Sequence, residues 1–142
     1  MKIIEEDGVA LKMHKVSVII RTKNEERWIG HSLQSVLDFL DKPEIIIVDN
    51  KSTDETIQIV KSFREDPNLK NKKKSKYTKI NIINITDYSP GKSINLGVMK
   101  ASNPIILVLS AHCVIKKINL QKHIRELKKF KCIFGNQIPV WK

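Results

Sequence analysis

Four short runs rich in β-branched residues, each followed by a helix's length of chain, constrain this sequence most. They are residues 16–20 (VSVII), 44–48 (EIIIV), 79–85 (KINIINI) and 105–109 (IILVL). Apolar residues between them recur with helical spacing. Ile29, Leu33, Val36, Leu37 and Leu40 fall at i, i+4, i+7, i+8 and i+11, which predicts an amphipathic helix over 25–40. Ile57, Val60 and Phe63 mark a second helix, ended by Pro67 and opened by a capping box, Ser52-x-x-Glu55. After a Ser89-Pro90-Gly91 turn, Ile94, Val98 and Ala101 mark a third, and Leu120, Ile124 and Leu127 a fourth. Pro104 opens the fourth strand, where a proline is tolerated. Residues 131–140 read as a fifth strand. Strands joined by helices of this length require right-handed crossovers, so the fold class is α/β: a mostly parallel, Rossmann-like sheet with helices on both faces. The runs III and IILVL suit strands buried on both sides.

The chain has 142 residues, enough for one core, and no internal repeat or linker, so one domain is expected. No stretch approaches the roughly 20 apolar residues that span a bilayer. Acidic residues stand in MKIIEEDGVALKMHK where a secretory leader carries its apolar centre. Both features point to a cytoplasmic protein. Cys113 and Cys132 lack the paired spacing of a zinc site and read as small core residues.

Lysine and arginine number 26 against 15 acidic residues, a formal charge of +11. Such an excess suits a phosphate-bearing ligand, an anionic membrane surface or nucleic acid. The charge gathers in 70–79 (KNKKKSKYTK) and again in 116–131. Neither run is interleaved with aromatic residues as a base-stacking platform is, which argues against nucleic acid.

In an open doubly wound sheet, ligands bind beyond the carboxyl ends of the strands, where the strand order reverses. The polar clusters of this sequence lie there. The first strand empties into Arg21-Thr22-Lys23-Asn24-Glu25, the second into Asp49-Asn50-Lys51-Ser52, and the fourth into Ser110-Ala111-His112. An order of 3-2-1-4 would set the first and fourth exits on either side of the switch point. No GxGxxG follows the first strand and no Walker loop occurs, which argues against a dinucleotide enzyme or a P-loop NTPase.

The motifs VSVIIRTKNEERWI, EIIIVDNKSTDET, SPGKSINLGVMKAS, VLSAHC and FGNQIP, in this order from about residue 16 to 140, resemble the family 2 glycosyltransferases of the GT-A fold. The resemblance is to a subgroup with SAHC where the family commonly carries a DXD motif. It implies binding of a nucleotide-diphosphate sugar and transfer of its glycosyl group to a polysaccharide or lipid-linked acceptor. Carried over by position, Arg21, Thr22, Lys23, Asn24 and Glu25 would line the nucleoside pocket. Asp49 and Asn50 would accept from base or ribose. Asp49 equally suits a structural turn, and Ser52 a helix cap. Lys92, with Gly91, matches the family's glycine-plus-basic turn near the diphosphate. Gly97 is more simply a close-packing residue.

Ser110 and His112 occupy the DXD position, so both acids are absent. Two readings stay open. His112 is a metal ligand, favouring Mn²⁺ over Mg²⁺ as a neutral imidazole does, or no cation binds and His112 and Lys92 meet the diphosphate directly. His14, His31 and His123 fit no motif and read as surface residues. The resemblance places the general base in a second half of the domain, beyond Lys142, so the chain is expected to be the nucleotide-binding half only. Three function classes follow. One is a glycosyltransferase of cell-surface polysaccharide synthesis, cytoplasmic at the inner face of the membrane, acting as a homodimer or with a second chain. The others are a non-catalytic nucleotide-sugar-binding subunit and a basic module for nucleic acid or anionic membrane.

Overall fold

The computed structural model describes residues 15–65 and 79–139. The N-terminal segment and nearly all of the lysine run at 70–79 therefore lie outside the described residues. Four strands, β1 (Val16–Thr22), β2 (Glu44–Asp49), β3 (Lys79–Asn84) and β4 (Ile105–Ser110), form one sheet in the order β3-β2-β1-β4. All three pairings are parallel, as the alternation of strand and helix requires. Across the sheet, Thr22 stands beside Asp49 and Arg21 beside Ser110.

The helices are α1 (Ile29–Phe39), α2 (Thr56–Glu65), α3 (Pro90–Lys100) and α4 (Leu120–Leu127). Alternate residues along each strand serve opposite faces. Val18, Ile20, Ile45 and Ile47 pack with Ile29, Leu33, Val36 and Leu40 of α1 and Val60 of α2, and Leu120 of α4 joins that side. Ile19, Ile46 and Val48 form the second core with Ile85, Leu96 and Ala101. Every residue of β2 is buried, as a central strand covered on both faces must be.

Several expectations are corrected. β4 is only half-buried, with Val108 exposed, because among the described residues it is an outer strand with no neighbour on one side. In α3 the buried positions are Ser93 and Gly97 rather than Val98, which faces solvent. The small residues let the helix lie close to the sheet: a Cβ at Gly97 would come within 2.6 Å of Ile19 Cγ2. Ser89 caps α3 by accepting from the Lys92 amide, and Pro90 occupies the first turn. The capping box at Ser52 does not form. α2 begins four residues after Ser52, whose hydroxyl turns back to Asp49, and Asp54 accepts from the Thr56 amide instead.

Residues 131–139 form no strand, and Phe134 is 88% exposed. A strand needs a ladder partner, and among the described residues this segment has none. Cys132 lies in it and is exposed, so of the two free thiols only Cys113 is partly buried.

At the amino end of the sheet Glu44 is nearly buried. Its Oε2 accepts from Ser17 Oγ at 2.6 Å, Ser102 N at 2.8 Å and Ser102 Oγ at 2.9 Å. Lys79 Nζ stands 3.7 Å from Oε1. Burial alone would raise this carboxyl, but the bonds from Ser102 and Ser17 and the lysine charge outweigh it and hold it below its ordinary value. The network ties β1, β2, β3 and the α3–β4 loop together at the end away from the cleft.

Candidate functional site

The carboxyl ends of β1, β2 and β4 lie side by side, and the loops leaving them are cross-linked by hydrogen bonds. Asn24 adopts a left-handed backbone, φ 52°, which asparagine tolerates. Its amide donates to Ser52 Oγ at 2.9 Å and its Oδ1 accepts from the Thr53 amide at 2.8 Å. The Glu25 amide donates to Thr56 Oγ1 at 2.7 Å, the Glu26 amide to Asp54 Oδ2 at 3.1 Å, and the Glu55 amide to Glu26 Oε2 at 3.0 Å. Five contacts between two short loops make one lip of the β1 and β2 exits.

Beneath this lip Asp49, 2% exposed, accepts from Ser52 Oγ at 2.5 Å and Ser52 N at 3.0 Å. Asp54 supports it from the other end. Desolvation would raise its carboxyl, but hydrogen bonds from Thr56 and the Glu26 amide prevail and lower it. Ser52, Thr53, Asp54 and Thr56 were not assigned this bridging role from sequence. The run S-T-D-x-T does carry a signal, since side chains of this type bond to nearby backbone.

Across the switch point, the chain leaving β4 turns at Ser110, whose carbonyl accepts from the Cys113 amide at 2.9 Å. The turn presents His112, with a side chain 60% exposed, and its Nδ1 lies 3.0 Å from Glu25 Oε1. At the end of β1, Arg21 Nε and Thr22 Oγ1 are buried without a partner among the described residues, on opposite faces of the strand. Such orphaned polar atoms at a strand exit are groups a ligand or water can satisfy. Lys23 and Asn24 are exposed, and Asn50 is half-buried with its amide bonded to the Thr22 carbonyl at 2.9 Å.

Arg21, Thr22, Asn24, Glu25, Asp49, Ser110 and His112 are thus joined through one set of neighbouring exits. Lys92 is not part of that set. It rides on α3, which packs on the opposite face from α1, and its ammonium pairs with Asp87. Of the remaining histidines, His31 is exposed, while His123 is half-buried beside Glu126 at 3.2 Å; His14 lies outside the described residues.

Glu25 and His112 are the ligand-type side chains that meet at the β1 and β4 exits. Among the described residues no three His, Cys, Asp or Glu side chains converge. Glu25, the acid beside His112, faces the ring's Nδ1. A divalent ion bound by protein and phosphate together normally draws on one or two carboxylates.

An open parallel sheet with polar clusters at its switch point defines a doubly wound α/β domain, the architecture that the GT-A resemblance implies. The sequence model for Glycosyl transferase family 2 matches residues 17–140, and the chain belongs to that family. It is 32% identical over 112 residues to the poly(ribitol-phosphate) beta-N-acetylglucosaminyltransferase TarS of Staphylococcus aureus, covering 77% of this chain and 18% of TarS. A crystal structure of S. aureus TarS 1–349 in complex with UDP-GlcNAc superposes with TM-score 0.64 at 24% identity, over 89% of this chain and 37% of that one. The mannosyltransferase PcManGT of Pyrobaculum calidifontis, solved with GDP-Man and Mn²⁺, gives 0.63 at 20% identity, over 75% of this chain and 30% of that one. These two share the fold. The chain spans under a fifth of the length of TarS.

Proposed function

We propose that the chain binds a nucleotide-diphosphate sugar in the cleft between the β1–β2 lip and the β4 turn, as the donor half of a glycosyltransferase. The observation that carries this reading is the Glu25–His112 contact across the switch point, at the end of a strand whose last two residues hold unpartnered buried polar atoms. Lys23, Asn24 and Asn50 face the nucleoside, Arg21 and Thr22 bound the strand exit from its two faces, and Ser110 and His112 meet the diphosphate. Asp49 serves from below by fixing Ser52 and so the lip. Lys92 approaches only by leaving Asp87.

In the reaction, the bond between the sugar's anomeric carbon and the diphosphate oxygen breaks, and an acceptor hydroxyl oxygen bonds to that carbon. The hydroxyl proton passes to a base that we assign outside residues 15–139. Positive charge and N–H groups at the cleft lower the barrier by meeting charge that grows on the departing diphosphate. The acceptor is a saccharide polymer or lipid-linked saccharide, used on the cytoplasmic side of a membrane by a peripheral protein. Among the described residues no helix is long and apolar enough to cross one.

Thermal unfolding with UDP, GDP, UDP-GlcNAc and the matching nucleosides tests the reading. Nucleoside diphosphates at about 100 times Kd should stabilise the fold by roughly 2.7 kcal/mol, and nucleosides by much less. Stabilisation by DNA or anionic vesicles with none by any nucleotide would replace it with the basic-module reading. Release of UDP or GDP from the sugar nucleotide with a saccharide acceptor separates a transferase from a non-catalytic binding subunit.

A further inference from the structure

We propose that Glu25 is a positioning residue for His112: it holds the proton on Nδ1 and leaves Nε2 as the nitrogen presented to the phosphates of a bound nucleotide. An ionised carboxylate only accepts hydrogen bonds, so the imidazole nitrogen 3.0 Å from Glu25 Oε1 must carry hydrogen. Nε2 has no hydrogen bond to the described residues, and the ring is largely exposed. When the ring carries both protons, Nδ1–H is committed to Glu25 and Nε2–H is the donor left for a phosphate oxygen.

Both partners stand on anchored backbone, which separates this pair from an ordinary surface contact. Glu25 is fixed by its amide bond to Thr56 Oγ1, a buried residue, and its carbonyl accepts from Trp28 and Ile29 at the start of α1. The turn bearing His112 is fixed on one side by Ala111 N to the Arg21 carbonyl, at 3.3 Å. On the other side the Ile115 amide donates to Ser35 Oγ of α1 at 3.0 Å. Eighty-seven residues separate the two side chains in sequence, so only the parallel pairing of β1 with β4 brings them together. A carboxylate on one imidazole nitrogen sets the tautomer and the direction of the other.

The second half of the proposal, the contact with phosphate, rests on the donor-site reading; the tautomer does not. Long-range ¹H–¹⁵N spectra of histidine-labelled protein should show neutral His112 protonated at Nδ1. In E25A it should revert to the Nε2–H form that free histidine favours, while E25Q, whose amide oxygen still accepts, should keep Nδ1–H. UDP and GDP, titrated in EDTA, should shift the Nε2 resonance of wild type. Nε2–H in wild type, or one tautomer in all three proteins, overturns the positioning role. Nucleotide binding that leaves Nε2 unmoved overturns the phosphate contact alone. Failure of both nucleotides to bind overturns that contact together with the donor site, and the tautomer still judges Glu25.

Discussion

Replacing Glu44 separates the stability of the sheet from the chemistry of its cleft. Oε2 of this nearly buried carboxylate accepts three hydrogen bonds, and Lys79 stands near Oε1. Glu44→Ala removes every acceptor and leaves the buried Ser17 Oγ without that partner, while the exposed Ser102 and Lys79 turn to water, a loss of about 2–3 kcal/mol. Glu44→Gln keeps one neutral oxygen. Since bonds to charged groups are roughly twice as strong as neutral ones, it should cost about 1–2 kcal/mol. With a urea slope of about 2 kcal/mol/M, the alanine variant's midpoint should fall by somewhat over 1 M and the glutamine variant's by under 1 M.

The pH dependence has a fixed sign. The folded carboxyl titrates below the ordinary glutamate value of 4.5. Its ionised form therefore stabilises the fold fully above that value, and the contribution disappears as pH falls through the lowered folded value. Urea curves of wild type and Glu44→Gln should be widest apart at pH 7 and converge on acidification below 4.5. A gap that is constant from pH 7 to pH 3, or an alanine variant within 1 kcal/mol of wild type, would refute the reasoning. Nucleotide affinity at pH 7 should not change, because Glu44 lies at the other end of the strands.

Gly97→Ala places a methyl 2.6 Å from Ile19 Cγ2. Overpacking of about 1–3 kcal/mol should outweigh the helix propensity gained, about 1 kcal/mol. In a thermal-unfolding cycle with Ile19→Ala, the double variant should cost less than the sum of the singles. Asn24→Ala loses both the acceptor for Thr53 and the tolerance of a left-handed backbone, whereas Asn24→Gly loses only the acceptor. Amide exchange at residues 52–55 should rise in both, with alanine the less stable of the two; equal protection in all three proteins would remove Asn24 from the lip. Alkylation followed by mass spectrometry should label the exposed Cys132 before the partly buried Cys113.

The sequence by itself determined the layers and their order. Runs such as EIIIV are too apolar to face water on either side, and helix-length intervals leave a parallel sheet as the way to bury them. The positions of the polar clusters followed, because a strand's exit is a local property, and so did the family, through motifs that keep their order. Tertiary structure alone decided which exits touch. Asn24 meets Ser52, Glu26 meets Asp54 and Glu25 meets His112 across intervals of 28 to 87 residues. No local spacing encodes these pairs; they come from the registers of β1 with β2 and with β4. The misplaced features have the same origin. Ser52 looks like a helix cap until the buried Asp49 claims its hydroxyl, and residues 131–139 look like a strand until no neighbour offers a ladder. Helices answer to their own periodicity, whereas strand pairing, caps at strand exits and cleft chemistry depend on what lies opposite in space.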